Sequence, residues 1–332
     1  MRPVDVVDRL LKDRNRTPGT EGRAYAPVNI ALCKYWGKRD RALRLPVTSS
    51  LSVSLPELGA DTTVRPAETA DRFILNGHPV PATDPSATRL SRFLDLFRGD
   101  PHPHFEVCSA STVPLAAGLA SSASGFAALV LALDAYFAWN LDRRALSILA
   151  RLGSGSACRS VYDGFVEWHA GERADGMDSF AEPLRRAWPG LCVGWLRISD
   201  APKAVSSREA MERTTSTSPL YRAWPGRVAN DLHTLRTAIR EGDFETFGRT
   251  AESNALAMHA TMLDSWPPIL YWHPRTVEVL HDIWRARAEG LPCYFTMDAG
   301  PNVKLLFERA SRPDLCARFP GINVIEPFCI RS

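Results

Sequence analysis

The chain has 332 residues, 45% hydrophobic and 23% charged, which is the composition of an ordinary globular protein with room for two domains. Its net charge of +3 is too small, and its basic residues too scattered, to favour nucleic-acid binding. No apolar run approaches the roughly 20 residues that a membrane-spanning helix needs. The seven cysteines occur singly and the eight histidines are dispersed, which disfavours disulfides and a zinc site and indicates a reducing cytoplasm.

The first half of the chain mixes short strand patterns with helix patterns. Four apolar residues near the start have helical spacing: Val4, Val7, Leu10 and Leu11. Residues 1–22 are therefore either a short added helix or a disordered leader without the apolar core of a secretory signal. Alternating or apolar runs predict strands over residues 50–55, 73–75 and 105–109. Apolar segments rich in alanine and leucine predict helices over residues 125–139 and 145–152.

The pattern changes near residues 183–192, where Pro183, Pro189 and Gly190 interrupt the chain. A buried strand is predicted over residues 191–198, so we place a domain boundary between residues 188 and 189. Helical spacing follows over residues 228–239, 244–258 and 276–288. Two strands, at 294–297 and 303–307, are joined by a turn that begins at Asp298. The whole pattern predicts a mixed α and β protein of two domains, 1–188 and 189–332.

A segment of small residues, PLAAGLASSASG at 114–125, directly precedes a long apolar helix pattern. Backbone N–H groups of such a loop can close around an anion at the positive end of the helix dipole. Ser121 and Ser122 could add hydroxyl contacts to a phosphate or a magnesium ion. The segment lacks the GxxxxGK[ST] pattern of a Walker P-loop. The alternative is a small-residue helix start that packs closely against a sheet, with serine as its N-cap.

The same segment resembles the phosphate loop of the GHMP kinase superfamily, close to PxxxGLxSSA. Further segments resemble signatures of the mevalonate diphosphate decarboxylases and occur in the family's order: residues 26–40, 153–168, 263–268 and 296–302. The resemblance implies an α+β, two-domain GHMP kinase fold. Its N-terminal ATP-binding domain, residues 1–188, would be ribosomal S5 domain 2-like, and its C-terminal domain, residues 189–332, ferredoxin-like. The implied reaction is ATP-dependent decarboxylation of mevalonate diphosphate to isopentenyl diphosphate, with release of ADP, phosphate and CO2.

The resemblance also implies catalytic roles for Asp298, Lys34 and Arg159. Asp298 would lie between the substrate hydroxyl and the γ-phosphate of ATP, and Lys34 would keep it ionised. Arg159 would grip a carboxylate or phosphate through its planar fork. Without the resemblance, the sequence alone would suggest that Asp298 is an ordinary Asx-turn residue and that Lys34 is an exposed surface lysine.

Binding roles follow from the same resemblance. The implied ligands of the substrate diphosphate are Tyr35, Lys38, Ser154, Ser156, Arg159, Ser207 and Arg208. ATP and Mg²⁺ would be held by Gly118, Leu119, Ala120, Ser121 and Ser122, with Ser122 reaching the metal through Mg-ATP. Without the family, residues 154–160 are a Gly/Ser turn before a strand, and residues 206–208 are a polar loop.

Two residues depart from the family's pattern and leave the substrate open. Thr48 stands where asparagine is common, and Leu115 stands where threonine is usual. The rival enzymes are a phosphomevalonate decarboxylase, acting on mevalonate monophosphate, and a mevalonate 3-kinase. A nucleic-acid-binding module is a rival of another class, because ribosomal and translation-factor domains share the N-terminal fold, but the chain lacks a basic stripe. The resemblance further implies a cytoplasmic homodimer acting on a small molecule, with no nucleic-acid or membrane partner.

Overall fold

A computed structural model describes residues 1–14, 17–99, 103–112 and 121–329. The N-terminal strands are β1 Gly22–Cys33, β2 Lys38–Asp40, β3 Leu45–Pro46, β4 Ser50–Ala67, β5 Arg72–Leu75, β6 His78–Pro79, β7 His104–Ser111, β8 Phe165–Trp168 and β9 Ala181–Pro183. The helices of this part are α1 Pro3–Leu10, α2 Pro85–Leu94, α3 Ser121–Phe137 and α4 Arg143–Gly153, and a 3₁₀ turn follows over Gly155–Arg159.

The C-terminal part begins with strand β10, Leu191–Leu196. Its other strands are β11 Cys293–Met297, β12 Val303–Glu308 and β13 Asn323–Ile325. Its helices are α5 Ser207–Thr217, α6 Trp224–Glu241, α7 Phe244–Leu263, α8 Pro274–Ala288 and α9 Arg312–Arg318. Short 3₁₀ turns occur at Pro219–Ala223 and Arg309–Ser311. The prediction of a mixed α and β fold is confirmed.

The N-terminal part is built on a seven-stranded sheet in the order β6-β5-β7-β4-β8-β9, with β1 paired to β4. The β1–β4 pairing is antiparallel and shifts register at Pro27, which lacks the N–H that a regular ladder needs. Helix α3 packs on β1 and β4 at very close range. A Cβ atom on Gly22 would lie 2.2 Å from the carbonyl oxygen of Ala132, so only glycine permits this approach.

The C-terminal part is a four-stranded antiparallel sheet in the order β11-β12-β10-β13, with α7 and α8 packed on β11. The largest hydrophobic cluster is shared by both parts, because it joins Val28 and Ile30 of β1 to residues of α6 and α7. This shared core brings the end of β1 beside α7 and beside the turn between β11 and β12. The division at residues 188/189 remains a prediction.

Helix α1 shows that the start of the leader is helical, with Val6 and Val7 buried. Predicted helices at 125–139, 145–152, 228–239, 244–258 and 276–288 correspond to α3, α4, α6, α7 and α8. Across the ranges that the structure describes, no helix combines the length and the apolar character needed to cross a membrane.

Candidate active site

A cleft of about 920 Å³ lies where the end of β1, the 3₁₀ turn after α4, the start of α5 and the β11–β12 turn meet. Ten of the residues predicted from the sequence line it: Lys34, Tyr35, Lys38, Ser122, Ser154, Ser156, Arg159, Ser207, Arg208 and Asp298. Gly118, Leu119 and Ala120 lie outside the described residues, and Ser121 is described only as the first residue of α3. The fold therefore brings together side chains separated by up to 264 positions in the chain.

Asp298 lies in the turn between β11 and β12, and its carboxylate is held by two lysines. The ammonium of Lys34 is 3.0 Å from Oδ1, and that of Lys304 is 3.1 Å from Oδ2. Both lysine side chains are 2% exposed, whereas that of Asp298 is 29% exposed toward the cleft. Burial alone would raise the pKa of Asp298, but the charges of Lys304 and Lys34 outweigh it and hold that pKa far below its usual range. The carboxylate is thus ionised at any working pH.

Lys34 is fixed by the residues around the end of β1. Its amide N–H donates to Oδ1 of Asn254 at 2.8 Å, and its ammonium also donates to the carbonyl of Ala31 at 2.7 Å. Burial lowers the pKa of Lys34 to about 8, although Asp298 acts in the opposite direction. A lysine with such a pKa is charged at neutral pH but loses its proton within the range in which enzymes work.

The side chain of His259, in α7, contacts the main chain of Asp298: its Nε2 lies 3.0 Å from the carbonyl oxygen of that residue. Burial lowers the pKa of His259 to about 3, so the ring is neutral. A carbonyl oxygen can only accept, and therefore Nε2 carries the hydrogen. Neither His259 nor Asn254 was predicted as a site residue from the sequence.

Arg159 ends the 3₁₀ turn after α4 and is only 2% exposed. Its Nε and Nη2 donate to Oδ1 of Asn29 at 3.2 and 3.1 Å, and its Nη1 donates to Oγ of Ser50 at 2.5 Å. Burial lowers the pKa of Arg159, but an arginine stays protonated. No carboxylate among the described residues lies within ion-pair distance of Arg159. The guanidinium is therefore a buried, oriented cation that faces the cleft with neutral partners only.

Four more cations gather on the cleft wall: Lys38, Arg44, Arg89 and Arg208. Arg44 donates to the carbonyl of Leu152 at 2.6 Å, and Arg89 donates to that of Gly153 at 3.1 Å. Burial lowers the pKa of Lys38, Arg44 and Arg89, and the positive charge of Arg208 lowers it further in each case. Within the described ranges none of the four forms an ion pair with a carboxylate. We call this group the cation cluster; the charge of Glu212 offsets its mutual repulsion in part at Lys38, and an anionic ligand would relieve the repulsion further.

Hydroxyl groups complete the cationic end. Ser122 and Ser154 lie with their Oγ atoms 3.4 Å apart. The phenol oxygen of Tyr35 is buried and has no hydrogen-bond partner in the parts of the chain that are described. Burial raises the pKa of Tyr35, so the group remains a neutral donor. A Cβ atom on Gly155 would come within 2.8 Å of that oxygen, which is why the turn beside Tyr35 begins with glycine.

Two local interpretations from the sequence were wrong. The polar loop proposed around Ser207 and Arg208 is the first turn of α5, where Oγ of Ser206 accepts from the amide of Glu209 at 3.2 Å. The Gly/Ser turn proposed for residues 154–160 is a 3₁₀ helix that starts after Ser154. Ser206 caps the first turn of α5 with its side chain, and the amide of Ser154 donates to the carbonyl of Ala150 at the end of α4.

Lys203 and Lys304 were also missed, although composition carried a signal for them. Only five of the 40 basic residues are lysines, at positions 12, 34, 38, 203 and 304. Lys34, Lys38 and Lys203 line the cleft, and Lys304 holds Asp298. Arginine supplies most of the positive charge elsewhere, and four of the five lysines lie at the site.

An ionised carboxylate beside buried lysines, a cation cluster and an α3 N-terminus preceded by small residues define a class of protein. It is an enzyme of the GHMP kinase type, with a two-domain mixed α and β fold and a site for phosphorylated small molecules.

Comparison with known proteins narrows the class. The family described as "Diphosphomevalonate decarboxylase-like N-terminal domain" matches residues 26–181, and "Mevalonate 5-diphosphate decarboxylase C-terminal domain" matches residues 196–322. Diphosphomevalonate decarboxylase mvd1 of Aspergillus fumigatus is 41% identical over 307 residues, covering 85% of this chain and 75% of the relative. The chain therefore belongs to the diphosphomevalonate decarboxylase family.

Solved structures agree. The crystal structure of mevalonate diphosphate decarboxylase from Staphylococcus aureus is similar with a TM-score of 0.87 and 39% identity, covering 92% of this chain and 95% of that one. A structure described as MDDEF in complex with MVAPP, AMPPCP and magnesium has a TM-score of 0.85 and 41% identity, covering 93% of this chain and 98% of that one.

Proposed function

We propose that the chain catalyses the ATP-dependent decarboxylation of mevalonate diphosphate to isopentenyl diphosphate, a step of isoprenoid biosynthesis by the mevalonate pathway. The observation that carries the proposal is the Asp298 carboxylate, held between the ammonium groups of Lys34 and Lys304 at the floor of a cationic cleft. Membership of the family supports the same reaction.

The cation cluster supports a diphosphate at one end of the substrate. Charge-assisted hydrogen bonds from arginine to phosphate oxygens are among the strongest that a protein makes. Four cations without a carboxylate partner are neutralised better by a diphosphate than by a monophosphate. The buried hydroxyl of Tyr35 adds a neutral donor beside them. These features favour mevalonate diphosphate over the monophosphate as substrate.

Arg159 supports binding of the carboxylate at the other end of the substrate. Its guanidinium plane is fixed by Asn29 and Ser50, so a carboxylate can only approach from the cleft. The paired geometry of the two groups then sets the orientation of the C–C bond that must break. We assign Arg159 to holding this bond opposite the departing phosphate.

Asp298 lies where it can accept a hydrogen bond from the tertiary hydroxyl of the substrate. Because its pKa is far below the usual range, it is a weak base and cannot take the proton in the ground state. Proton loss is therefore late, as the oxygen attacks the γ-phosphate and becomes acidic. Lys34 and Lys203 line the same part of the cleft and stabilise the negative charge that develops there.

ATP is assigned to the N-terminus of α3, which presents the positive end of the helix dipole to an anion. Ser122 and Ser154 offer neutral oxygen atoms at this point, which fit a magnesium ion bound mainly through ATP phosphates and water. The described residues contain no group of three or more His, Cys, Asp or Glu side chains arranged to hold a metal alone. When bound, Mg²⁺ neutralises charge on the transferring phosphoryl group.

The second step follows from the first without a further reagent. Phosphorylation converts the tertiary hydroxyl, which cannot leave as hydroxide, into a phosphate leaving group. The C–C bond to the carboxylate breaks, its electron pair forms the alkene, and the C–O bond to phosphate breaks. One ATP therefore yields one each of ADP, phosphate and CO2.

Product analysis tests the proposal. Purified protein with ATP and magnesium is incubated in parallel with mevalonate, its monophosphate and its diphosphate. We expect isopentenyl diphosphate from the diphosphate alone, with ADP, phosphate and CO2 in equal amounts. Release of ADP without CO2 would identify a kinase, and isopentenyl monophosphate formed from mevalonate monophosphate would identify a phosphomevalonate decarboxylase. We also propose, as the family resemblance implies, a cytoplasmic homodimer; light scattering after size-exclusion chromatography tests the dimer.

A further inference from the structure

Lys304 is a charged residue at a position where the fold by itself calls for an apolar one. It lies in strand β12 between Val303 and Leu305, which are both fully buried, and pairs with Trp195 and Thr296 on the neighbouring strands. Its side chain is 2% exposed. Burial of an ammonium is strongly unfavourable unless it is paired, so an apolar side chain here would serve stability as well or better.

The ammonium of Lys304 is directed at one atom. Its Nζ lies 3.1 Å from Oδ2 of Asp298, while Lys34 takes Oδ1 at 3.0 Å. Lys34 and Lys203 line the cleft, but Lys304 does not, so Lys304 reaches Asp298 from the protein interior. With one lysine on each oxygen the carboxylate cannot rotate about its terminal torsion. Each oxygen still has a lone pair left for a ligand in the cleft.

We propose that Lys304 is a positioning residue for the phosphoryl-transfer step: it fixes the plane of the Asp298 carboxylate and keeps this group ionised for the substrate hydroxyl. The inference rests on the proposed function and adds a residue that does not contact the substrate. A displaced acceptor reduces catalysis steeply, since an error of about 1 Å in a catalytic group can cost about 100-fold in rate.

The charged and titratable groups that face Asp298 come from several elements: Lys34 after β1, Arg159 from the 3₁₀ turn, Lys203 before α5, His259 from α7 and Lys304 from β12. His259 is neutral, and Arg159 and Lys203 form no hydrogen bond with the carboxylate within the described ranges. The two contacting lysines therefore control its ionisation. Without Lys304 the carboxylate should gain a proton at a higher pH, because an opposite charge at this range lowers a carboxyl pKa by about 1–3 units.

This consequence separates positioning from plain structural support. In Lys304→Met, a side chain of similar length without charge, we expect kcat to fall by about 10- to 100-fold, with KM for both substrates changed by less than about 3-fold. We also expect an acid limb in the dependence of kcat on pH that the wild type does not show in the same range, because loss of an opposite charge at this distance raises a carboxyl pKa by about 1–3 units. Lys304→Arg retains the charge and should recover part of kcat without the new limb.

The measurement is steady-state kinetics of isopentenyl diphosphate formation between about pH 3 and 9, with a thermal melt for each variant at each pH. Lys38→Met is the matched control, because it removes a cleft lysine that does not contact Asp298; it should raise KM for the diphosphate and leave the acid limb unchanged. If Lys304→Met fails to fold, Lys304→Gln replaces it and must show the limb.

Two outcomes would overturn the inference. The first is a wild-type kcat and pH dependence in Lys304→Met. The second is a lower kcat in Lys304→Met with no acid limb, together with an equally low kcat in Lys304→Arg. The second outcome would make Lys304 a structural residue only. A wild-type protein that forms no isopentenyl diphosphate would instead overturn the proposed function, and that result is read before any variant is made.

Discussion

Replacing Asp298 by asparagine tests the charge arrangement at the floor of the cleft. The substitution keeps the size of the side chain, and asparagine serves Asx turns as well as aspartate does, so the turn after β11 should persist. What changes is the charge. Lys34 and Lys304, both 2% exposed, lose the carboxylate that contacts them at 3.0 and 3.1 Å. We expect both stability and turnover to fall.

The magnitude follows from burial. Removing one partner of a buried pair costs roughly 3–5 kcal/mol because a charge is left uncompensated. Asp298 is 29% exposed, so water screens part of the pair and we expect the lower end, about 3 kcal/mol. Adding Lys304→Met removes one of the two uncompensated charges, and the double variant should regain about 1–2 kcal/mol. Turnover should be at least ~100-fold lower in both, because neither has a carboxylate at the hydroxyl.

Three measurements at pH 7 decide the matter: unfolding in urea, turnover, and binding of a fluorescent ATP analogue, which should change little. The depressed pKa of Asp298 gives the wild type its advantage above about pH 4, the ordinary carboxyl pKa, and the advantage should shrink as pH falls further. A single variant as stable as the wild type, or a double variant less stable than the single one, would refute the charge argument. A folded variant with near-normal turnover would reduce Asp298 to a turn residue.

Two further predictions concern cations of the cleft. Because burial lowers the pKa of Lys34 to about 8, kcat/KM for the diphosphate should fall roughly tenfold per pH unit above that value. The Lys34→Arg variant should lack this alkaline limb whatever its absolute rate, because arginine stays protonated. An unchanged limb in Lys34→Arg would exclude Lys34 as its source. Arg44→Met and Arg89→Met should each raise KM for mevalonate diphosphate by about 10-fold with little change in KM for ATP, as steady-state kinetics would show. Arg240→Met is the matched control, because this side chain is 73% exposed, and it should leave both constants unchanged. If the Arg44 and Arg89 variants changed KM for ATP as much as KM for mevalonate diphosphate, the cation cluster would not be a specific site for the diphosphate.

The sequence predicted those elements whose pattern is strong and local. The apolar run at residues 125–139 corresponds to α3, which starts earlier, at Ser121, and ends at Phe137 before the left-handed residue Ala138. The bounds of strand β1 were not predicted, because from Ala26 onward it is buried on both faces and does not alternate. Helix α5 was missed because its serines and threonines are weak helix formers, and its start depends on the N-cap Ser206.

The sequence predicted the cleft residues that belong to short recognisable segments, and it missed those that folding brings together from distant segments. Lys34, Tyr35 and Lys38 lie within five positions of one another in a recognisable segment. Arg44 and Arg89 belong to the same cationic wall as Arg208, yet no local pattern connects a residue before β4, one in α2 and one in α5. Their proximity results from the packing of elements, which periodicity does not report.

Burial alone does not mark a functional arginine, as a comparison within this chain demonstrates. Arg151 is fully buried, but its Nη1 donates to the carbonyls of Gly176 and Ser179, so it ties two segments together away from the cleft. Arg159 is buried to a similar degree, has only the neutral partners Asn29 and Ser50, and lines the cleft. The energetic cost of burying Arg159 is therefore offset in part by these hydrogen bonds and by the charge of Asp298, and an anionic ligand in the cleft would offset more of it.

The same reasoning applies to the cation cluster, and together Arg159 and the cluster favour a ligand with more than one anionic group. The ionised Asp298 is negatively charged, unlike Arg159 and the cation cluster, so it repels anions and accepts hydrogen bonds. A ligand that suits all three features combines a diphosphate, a carboxylate and a hydroxyl that can donate to Asp298. Mevalonate meets the second and third requirements but leaves the cation cluster unneutralised, and its monophosphate neutralises the cluster only in part. The charges that line the cleft thus favour mevalonate diphosphate, in agreement with the family to which the chain belongs.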